Sequence, residues 1–290
     1  MSQFITDSDD HQISLEEVIN KINDLPMLPD VAKEMLSDLN NEDISLDAIV
    51  EKVSLDQALA AKVLRLANAS IYGANSKVVT IQQAVAMLGI KNLKNLIRLS
   101  IFTRHLPTAA CRGFDNQAFW RHNLATAICS ELISRTLHMK HDFAFTAGLL
   151  HDIGRLVLVS RFPKKYAEVI AAAKKSDTSL LEAERIILGV DHVAVGLVLA
   201  LQWNFSDAIQ DGIRGHHEPD DKDLNAVASI VHVANSIVHA LDLNHAENEL
   251  VPPISQHAWN VLSLNEEAYL AIFHETELRV EAMNQMLQTP

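Results

Sequence analysis

The sequence predicts an all-α protein, and three observations support this fold class. The chain of 290 residues contains only 9 glycines and 5% aromatic residues, whereas Ala, Leu, Ile and Val are abundant, as is typical of helices. No stretch alternates apolar and polar residues over the length of a strand. Helix-capping pairs recur instead, with Ser14 before Glu17 and Thr80 before Gln83.

The first part of the chain predicts six short helices, several of them with a capping residue at the start and apolar residues on one face. The two prolines within 25–29 break the first helix because proline cannot donate a backbone hydrogen bond. Gly89 suits a left-handed stop after the fifth helix, and residues 72–76 predict a loop. The six helices are expected to begin near Ser14, Asp30, Ser45, Asp56, Thr80 and Lys91.

The second part predicts longer and more apolar helices, including one continuous helix over 141–160. Pro163 is expected to end that helix, and Ser206 is expected to cap a later one. Asp191 is expected to place His192 in the first turn of its helix. The other predicted helices span 119–137, 166–174, 179–189, 206–214, 224–241 and 265–288.

Three segments follow from these patterns. Residues 1–13 are polar and acidic and predict a disordered N-terminus. Turn residues without helical periodicity at 107–115 predict a junction. The expected division is therefore a helical subdomain at 14–110 and a second helical domain at 111–290.

Composition excludes several classes of function. The net charge of −13 provides no basic excess for nucleic acid. The N-terminus lacks the basic and apolar pattern of a signal sequence, and no uninterrupted apolar run reaches membrane-spanning length. The two cysteines, Cys111 and Cys129, form no CxxC pair. We therefore expect a cytoplasmic protein that binds neither nucleic acid nor a membrane.

A basic face is predicted on the sixth helix. Lys91, Lys94 and Arg98 are spaced at i, i+3 and i+7, which places them on one side of a helix. Such a stripe is usually a solvated surface, and the alternative is a docking patch for an acidic partner.

The most informative pattern is an ordered set of imidazoles with one carboxylate. His151 and Asp152 adjoin the apolar run 147–150, so both polar groups are expected to be buried. A buried carboxylate is costly without a cation or several hydrogen-bond donors. His122, His192 and the pair His216 and His217 recur on what read as successive helices. Imidazole and carboxylate are common ligands of divalent metal ions, and the pattern predicts a metal centre.

The chain resembles the HDOD proteins, the HD-related output domains of bacterial signalling proteins. The resemblance rests on motifs that occur in the expected order over roughly residues 15–270, within the two predicted parts of the chain. It implies an N-terminal helical bundle packed on an HD-like helical core. The motifs are Leu25-Pro-Met-Leu-Pro29, Asp56-Gln-Ala-Leu59, Leu64-Arg-Leu-Ala-Asn68, Ile81-Gln-Gln-Ala-Val-Ala-Met-Leu-Gly89, Trp120-Arg-His122, Gly148-Leu-Leu-His-Asp-Ile-Gly154, Asp191-His192, His216-His217 and Val233-Ala-Asn235.

The resemblance also implies a set of site residues. HD enzymes hydrolyse phosphate esters with one or two divalent metal ions, so His122, His151 and Asp152 correspond to ligands of the first ion. His192, His216 and His217 correspond to the additional histidines of two-metal members. Asn235 stands where these enzymes have an aspartate, which leaves Asp152 as the single carboxylate ligand. Glu184 is a candidate source of further negative charge near the site.

These features predict one bound divalent ion more readily than two, with Fe, Zn, Ni or Mn as candidates. HDOD proteins are regarded as non-catalytic regulators, so we expect a regulatory output module with degraded catalysis and a signalling protein as partner. The alternative is an active phosphohydrolase acting on a nucleotide, a cyclic dinucleotide or a phosphomonoester. Asp152 and Arg155 would then be catalytic, with Arg155 steadying a phosphate-containing ligand; otherwise Arg155 is a surface charge. A third interpretation is a structural adaptor in which protons replace the metal.

Overall fold

The computed structural model describes residues 12–24, 28–40, 44–68, 78–106, 110–139, 141–243 and 250–287. Within these ranges the chain is helical and contains no strand, so the predicted fold class is confirmed. The predicted loop at 72–76 lies outside the described residues. The first six helices are α1 (Leu15–Asn23), α2 (Asp30–Asn40), α3 (Leu46–Leu55), α4 (Gln57–Ala67), α5 (Ile81–Leu88) and α6 (Ile90–His105).

The remaining helices carry the residues of the predicted site. These helices are α7 (Asn116–Thr136), α8 (His141–Leu150), α9 (Ile153–Arg161), α10 (Pro163–Ser176), α11 (Leu180–Leu188), α12 (His192–Gln202), α13 (Asp207–Gly215), α14 (Ala226–Ala240), α15 (Gln256–Leu262) and α16 (Glu266–Leu287). Helix α7 packs against α8, α14 and α16 and forms the centre of the second half of the chain.

Most of the predicted caps are present. The Ser14 side chain accepts from the amide of Glu17 at 3.1 Å, and Thr80 and Gln83 form a reciprocal capping box. Gly89 ends α5 with a φ of +78°, but its ψ of 154° lies outside the left-handed helical region. Ser206 occupies the N-cap of α13 without a side-chain cap bond, so that prediction was wrong in its detail.

The predicted single helix over 141–160 was wrong. The chain forms α8 and α9, with a turn at His151 and Asp152 between them. The turn frees both side chains from the 100° separation that neighbouring residues have in a helix, so they can point into the same cluster.

The segment Phe143–Arg161 has the length and mean hydropathy of a membrane-spanning helix, although His151, Asp152 and Arg155 interrupt its apolar residues. In the structure 83% of the most apolar 18-residue stretch of this segment is buried inside the protein. Packing of α8 against α7 and α13, and of α9 against α12, accounts for its apolar character.

The predicted basic stripe on α6 was also wrong. Lys91 is exposed, but Arg98 retains only 1% of its accessible surface. Its guanidinium donates to Asn95 Oδ1 at 3.0 Å and to Leu39 O at 3.3 Å, and it lies 6.0 Å from the centre of the Phe145 ring. The Arg98 side chain is therefore a buried connection between α2, α6 and α8, and the three residues do not form one exposed surface.

The N-terminal helix packs on the second half of the chain. Val18 and Ile22 of α1 are fully buried, and α1 packs against α12. Two such aliphatic side chains contribute roughly 3 to 6 kcal/mol of gross stabilisation. At the other end of the chain, α16 packs against α4. Each terminal helix thus contacts the opposite half.

The predicted disordered segment 1–13 lies mostly outside the described residues. At its end, however, Ile13 is 3% exposed and its amide donates to Leu188 O at 2.6 Å. The packed structure therefore includes Ile13, because this residue can bury its side chain and pair its backbone at the end of α11.

Candidate metal centre

Three of the seven predicted site residues lie in helices, and the other four lie in a turn between two helices or just after a helix end. His122 is in the middle of α7 and Asn235 is in α14. His151 and Asp152 form the turn between α8 and α9, and His192 is the first residue of α12. The pair His216 and His217 follows the last residue of α13. All are buried except His217, which is intermediate.

Four of these residues converge on one point, and we call them the His192 cluster: Asp152, His192, His216 and His217. The His192 Nε2 atom lies 3.2 Å from His216 Nε2 and 3.1 Å from His217 Nε2. Asp152 Oδ1 is 3.2 Å from His192 Nε2 and 3.5 Å from His216 Nε2. One ligand atom from each residue lies within 4.8 Å of every other, which is the spacing of a metal-ligand set.

A second group shares the same carboxylate, and we call it the His122 cluster: His122, His151 and Asp152. The Nε2 atoms of His122 and His151 are 3.2 Å apart, and Asp152 Oδ1 is 3.8 Å from His151 Nε2. The two clusters therefore meet at Asp152. The predicted histidines and Asp152 come together in one inward-facing site.

Hydrogen bonds to the far side of the rings determine which nitrogen faces the clusters. His151 Nδ1 lies 2.8 Å from Gly148 O, and His216 Nδ1 lies 2.8 Å from Ile213 O. A carbonyl oxygen has no proton, so each Nδ1 must carry the hydrogen. In the neutral ring Nε2 then presents a lone pair. Lone pairs facing one another at about 3 Å repel, and a cation between them removes the repulsion.

Asn235 provides an independent test of whether the site suits a metal ion. Its side chain is 2% exposed, and its Oδ1 atom has no hydrogen-bond partner among the described residues. A buried carbonyl oxygen without a donor costs about 1 to 3 kcal/mol. Asn235 lies on the same α14 face as His232, which bonds His216 O, and His239, whose ring centre is 4.6 Å from that of His122. The unpaired oxygen is consistent with a cation ligand.

Electrostatics divide the histidines into two kinds. Burial lowers the pKa of His151 and of His217 below the ordinary value, so both are neutral near pH 7. Burial would also lower the pKa of His192, but Glu184 and Asp152 raise it to about 10. Burial would raise the pKa of Asp152, yet His151, Arg155 and His192 hold it well below its ordinary range. Positive charge is thus favoured at His192, where two carboxylates meet.

Arg155 is not an exposed surface charge, which was one of the two roles expected for it from the sequence. Its guanidinium donates to Asp152 Oδ2 at 2.8 Å, and its side chain retains 15% of its accessible surface. It lies over the rings of Phe114 and Phe119, at 6.0 and 5.7 Å from their centres. Arg155 therefore neutralises part of the charge on Asp152 and leaves Oδ1 facing the histidines.

Two other histidines, His232 and His239, also lie at the site, although they were not among the predicted residues. His232 Nδ1 donates to His216 O at 2.8 Å, and its Nε2 accepts from the Ser255 amide at 2.9 Å, so both ring nitrogens are paired. His239 contacts the His122 ring. The sequence does contain a pattern that could have identified them: His232, Asn235 and His239 are spaced at i, i+3 and i+7, which places them on one face of an apolar helix.

Comparison with known proteins agrees with this fold. Residues 25–219 match the HDOD domain, and the chain belongs to the HDOD family. A Treponema pallidum (strain Nichols) protein without a characterised function is 26% identical over 229 residues. The alignment covers 78% of this chain but only 44% of that protein, so the present chain spans less than half of its relative.

Several solved structures share the fold. An HDOD domain protein of unknown function from Geobacter sulfurreducens has a TM-score of 0.79 and 23% identity, covering 96% of this chain and 100% of the other. A Shewanella amazonensis SB2B protein, provisionally named a phosphohydrolase, has a TM-score of 0.68 and 29% identity, with 93% and 97% covered. A Marinobacter aquaeolei VT8 protein, provisionally named a signal transduction protein, has a TM-score of 0.75 and 24% identity, with 96% and 62% covered.

Proposed function

We propose that this chain is a cytoplasmic signal-transduction module that binds one divalent metal ion and does not hydrolyse phosphate esters. The observation that carries this proposal is the pairing of Asp152 with Arg155 in a site whose other candidate ligands are imidazoles and the Asn235 amide. The ion would be held by imidazole nitrogens and Asp152 Oδ1. This mixed donor set suits zinc, iron, nickel or manganese.

Charge balance favours one ion over two. A histidine that binds a metal ion must give up the proton on the binding nitrogen and be neutral. With all histidines neutral, Asp152 and Glu184 each bring one negative charge and Arg155 brings one positive charge, so the ligand site carries a net charge of about −1. Two unit charges 4 Å apart interact by about 4 kcal/mol at the effective dielectric constant of a protein, and two divalent ions repel about four times as strongly. Asn235 provides no anion to offset this repulsion.

The contacts between the two halves support a regulatory role. His192 begins α12, and α1 packs against α12, so a change at the metal site is transmitted to a helix of the N-terminal region. The contact of α16 with α4 links the halves a second time. A signalling protein that binds the N-terminal region would thus sense whether the site holds an ion.

Metal content is the first test of the proposal. Protein purified without chelator is expected to contain close to one equivalent of a transition metal by elemental analysis, and His192→Ala is expected to lose it. His257→Ala provides a matched control, because His257 is exposed and lies outside both clusters. A metal-free wild-type protein that also fails to take up added ions would overturn the proposal.

The coupling between the halves has a separate test. Hydrogen exchange of α1 amides is expected to slow when the metal is added, whereas that of α3, which packs against α4 and α5, is expected to remain unchanged. Equal exchange of α1 with and without metal would refute the coupling.

The second candidate function is a metal-dependent phosphohydrolase. It is favoured by one observation, the meeting of the two clusters at Asp152, because a shared carboxylate can bridge two ions. Arg155 would then leave Asp152 and bind the phosphate of a nucleotide, a cyclic dinucleotide or a phosphomonoester. Phosphate release with added manganese or iron, lost in His151→Ala, would establish this function. We expect no release from the wild type and a gain in Asn235→Asp.

A further inference from the structure

Glu184 occupies an unusual position behind the His192 cluster. Its side chain is fully buried on α11, with 0% of its surface exposed. Its Oε2 atom accepts from His192 Nδ1 at 2.6 Å and from the His192 amide at 2.8 Å. Its Oε1 atom accepts from the Tyr166 hydroxyl at 2.8 Å. Three donors therefore hold this carboxylate in one orientation.

This arrangement determines how His192 faces the cluster. The carboxylate accepts a hydrogen bond from Nδ1–H, so the proton stays on Nδ1. A cation that displaces the Nε2 proton then finds the lone pair of Nε2 facing the cluster. Glu184 also places a negative charge one imidazole away from the ion, which makes the ring a stronger ligand. Because the amide of His192 binds the same oxygen, the backbone at the start of α12 is fixed together with the ring.

In the His122 cluster, the hydrogen bond behind His151 goes to a different kind of group. His151 Nδ1 donates to Gly148 O, which is a neutral carbonyl. The charge of Glu184 thus lies behind His192, whereas the oxygen behind His151 is uncharged. The two clusters share Asp152, and the carboxylate of Glu184 behind His192, compared with the neutral carbonyl behind His151, favours a cation beside His192.

We propose that Glu184 is the positioning residue that selects the His192 cluster as the place of the single ion, and that Tyr166 orients Glu184. This inference rests on the proposed function, because it assumes that the site binds a metal. It adds which of the two clusters is occupied and which residue outside the ligand set decides it.

Cobalt(II) titration provides the test, because the visible absorption of Co²⁺ reports both its affinity and its ligand geometry. Glu184→Gln keeps the size of the side chain and removes the charge; we expect affinity to fall about 10- to 100-fold with an altered spectrum. Glu131→Gln is the matched control. Glu131 is also buried, at 2% exposure, but it bonds Asn95 on α6 and lies outside both clusters. Its affinity is expected to equal that of the wild type.

The position of the ion is tested by a second pair of variants. His192→Ala is expected to abolish cobalt binding, whereas His122→Ala is expected to retain it with a similar spectrum. The reverse result would overturn the choice of cluster. Tyr166→Phe keeps the carboxylate and is expected to lower the affinity by less than Glu184→Gln; it carries the test if Glu184→Gln does not fold.

The outcomes separate this inference from the proposed function. Wild-type protein that binds no cobalt removes the proposed function. Wild-type protein that binds cobalt, with equal affinity in Glu184→Gln or an equal loss in Glu131→Gln, removes only the role of Glu184.

Discussion

Replacing Gly154 by alanine is expected to disrupt the site from a position that contacts no ligand side chain. Gly154 is in the first turn of α9, where this helix crosses the start of α12. A β-carbon on Gly154 would lie 1.9 Å from His192 O and 2.7 Å from Gly196 N. Both are backbone atoms, so no side-chain rotation can relieve the clash. Carbon atoms in contact are about 3.5 Å apart, so α12 would have to retreat by about 1.5 Å.

The expected change in the free energy of unfolding is the sum of two opposing contributions. Overpacking of this kind costs about 1 to 3 kcal/mol, and a clash with backbone belongs at or above the upper limit. Alanine recovers about 1 kcal/mol through its higher helix propensity. We expect a net loss of about 2 kcal/mol in the free energy of unfolding, or roughly 4 to 8 °C in the melting temperature.

The same displacement moves His192 relative to Asp152. Metal–ligand distances tolerate only about 0.2 Å of error, so a shift of α12 by more than 1 Å is expected to abolish metal binding. The assay is thermal unfolding monitored by circular dichroism, together with cobalt titration of the same preparation.

Gly196→Ala is the matched control for this prediction. Gly196 is on the opposite side of the same helix crossing, but its added β-carbon would lie 3.1 Å from Ile213 Cγ2 and 3.2 Å from Gly154 N. We expect a loss below about 1 kcal/mol and retained metal binding. If Gly154→Ala melts with the wild type and binds cobalt equally, the crossing does not position His192 and the reasoning fails.

Three further predictions concern parts of the chain away from the site. Asp56 caps α4 and pairs with Arg104, so Asp56→Ala is expected to lower the free energy of unfolding by about 1 to 2 kcal/mol, as measured with denaturant. These donors lower the pKa of Asp56 in the folded state. The difference in stability from the wild type should therefore persist above about pH 4 and shrink below it. Arg98→Met removes the donor of two buried acceptors and should lower the free energy of unfolding by about 3 kcal/mol. In the control Lys91→Met, at an exposed position, the free energy of unfolding should stay within about 0.5 kcal/mol of the wild type. Equal losses in the two variants would contradict the burial of Arg98. Burial raises the pKa of Cys129 to about 12, so its thiol should resist Ellman's reagent at pH 8 in the folded protein and react in urea; rapid labelling of the native state would show that this part of α7 opens.

Local features of the sequence predicted many of the helix boundaries. Capping by Ser14, Thr80 and Ser179 involves residues only three positions apart, so the relevant atoms are close in any conformation that forms the helix. The all-α class follows from the same short-range information. The order of the histidine motifs, together with the HDOD resemblance, also identified the side chains that converge on Asp152.

Contacts between distant segments decided the rest. The turn at His151 and Asp152, the burial of Arg98 and the packing of α1 on α12 each depend on partners far away in the chain. The orientation of Glu184 depends on Tyr166, 18 residues earlier, and on the start of α12. Helical periodicity describes one segment at a time. The composition and order of the ligands could therefore be predicted from the sequence, whereas their grouping into two clusters and the charges behind them depend on how separate helices pack.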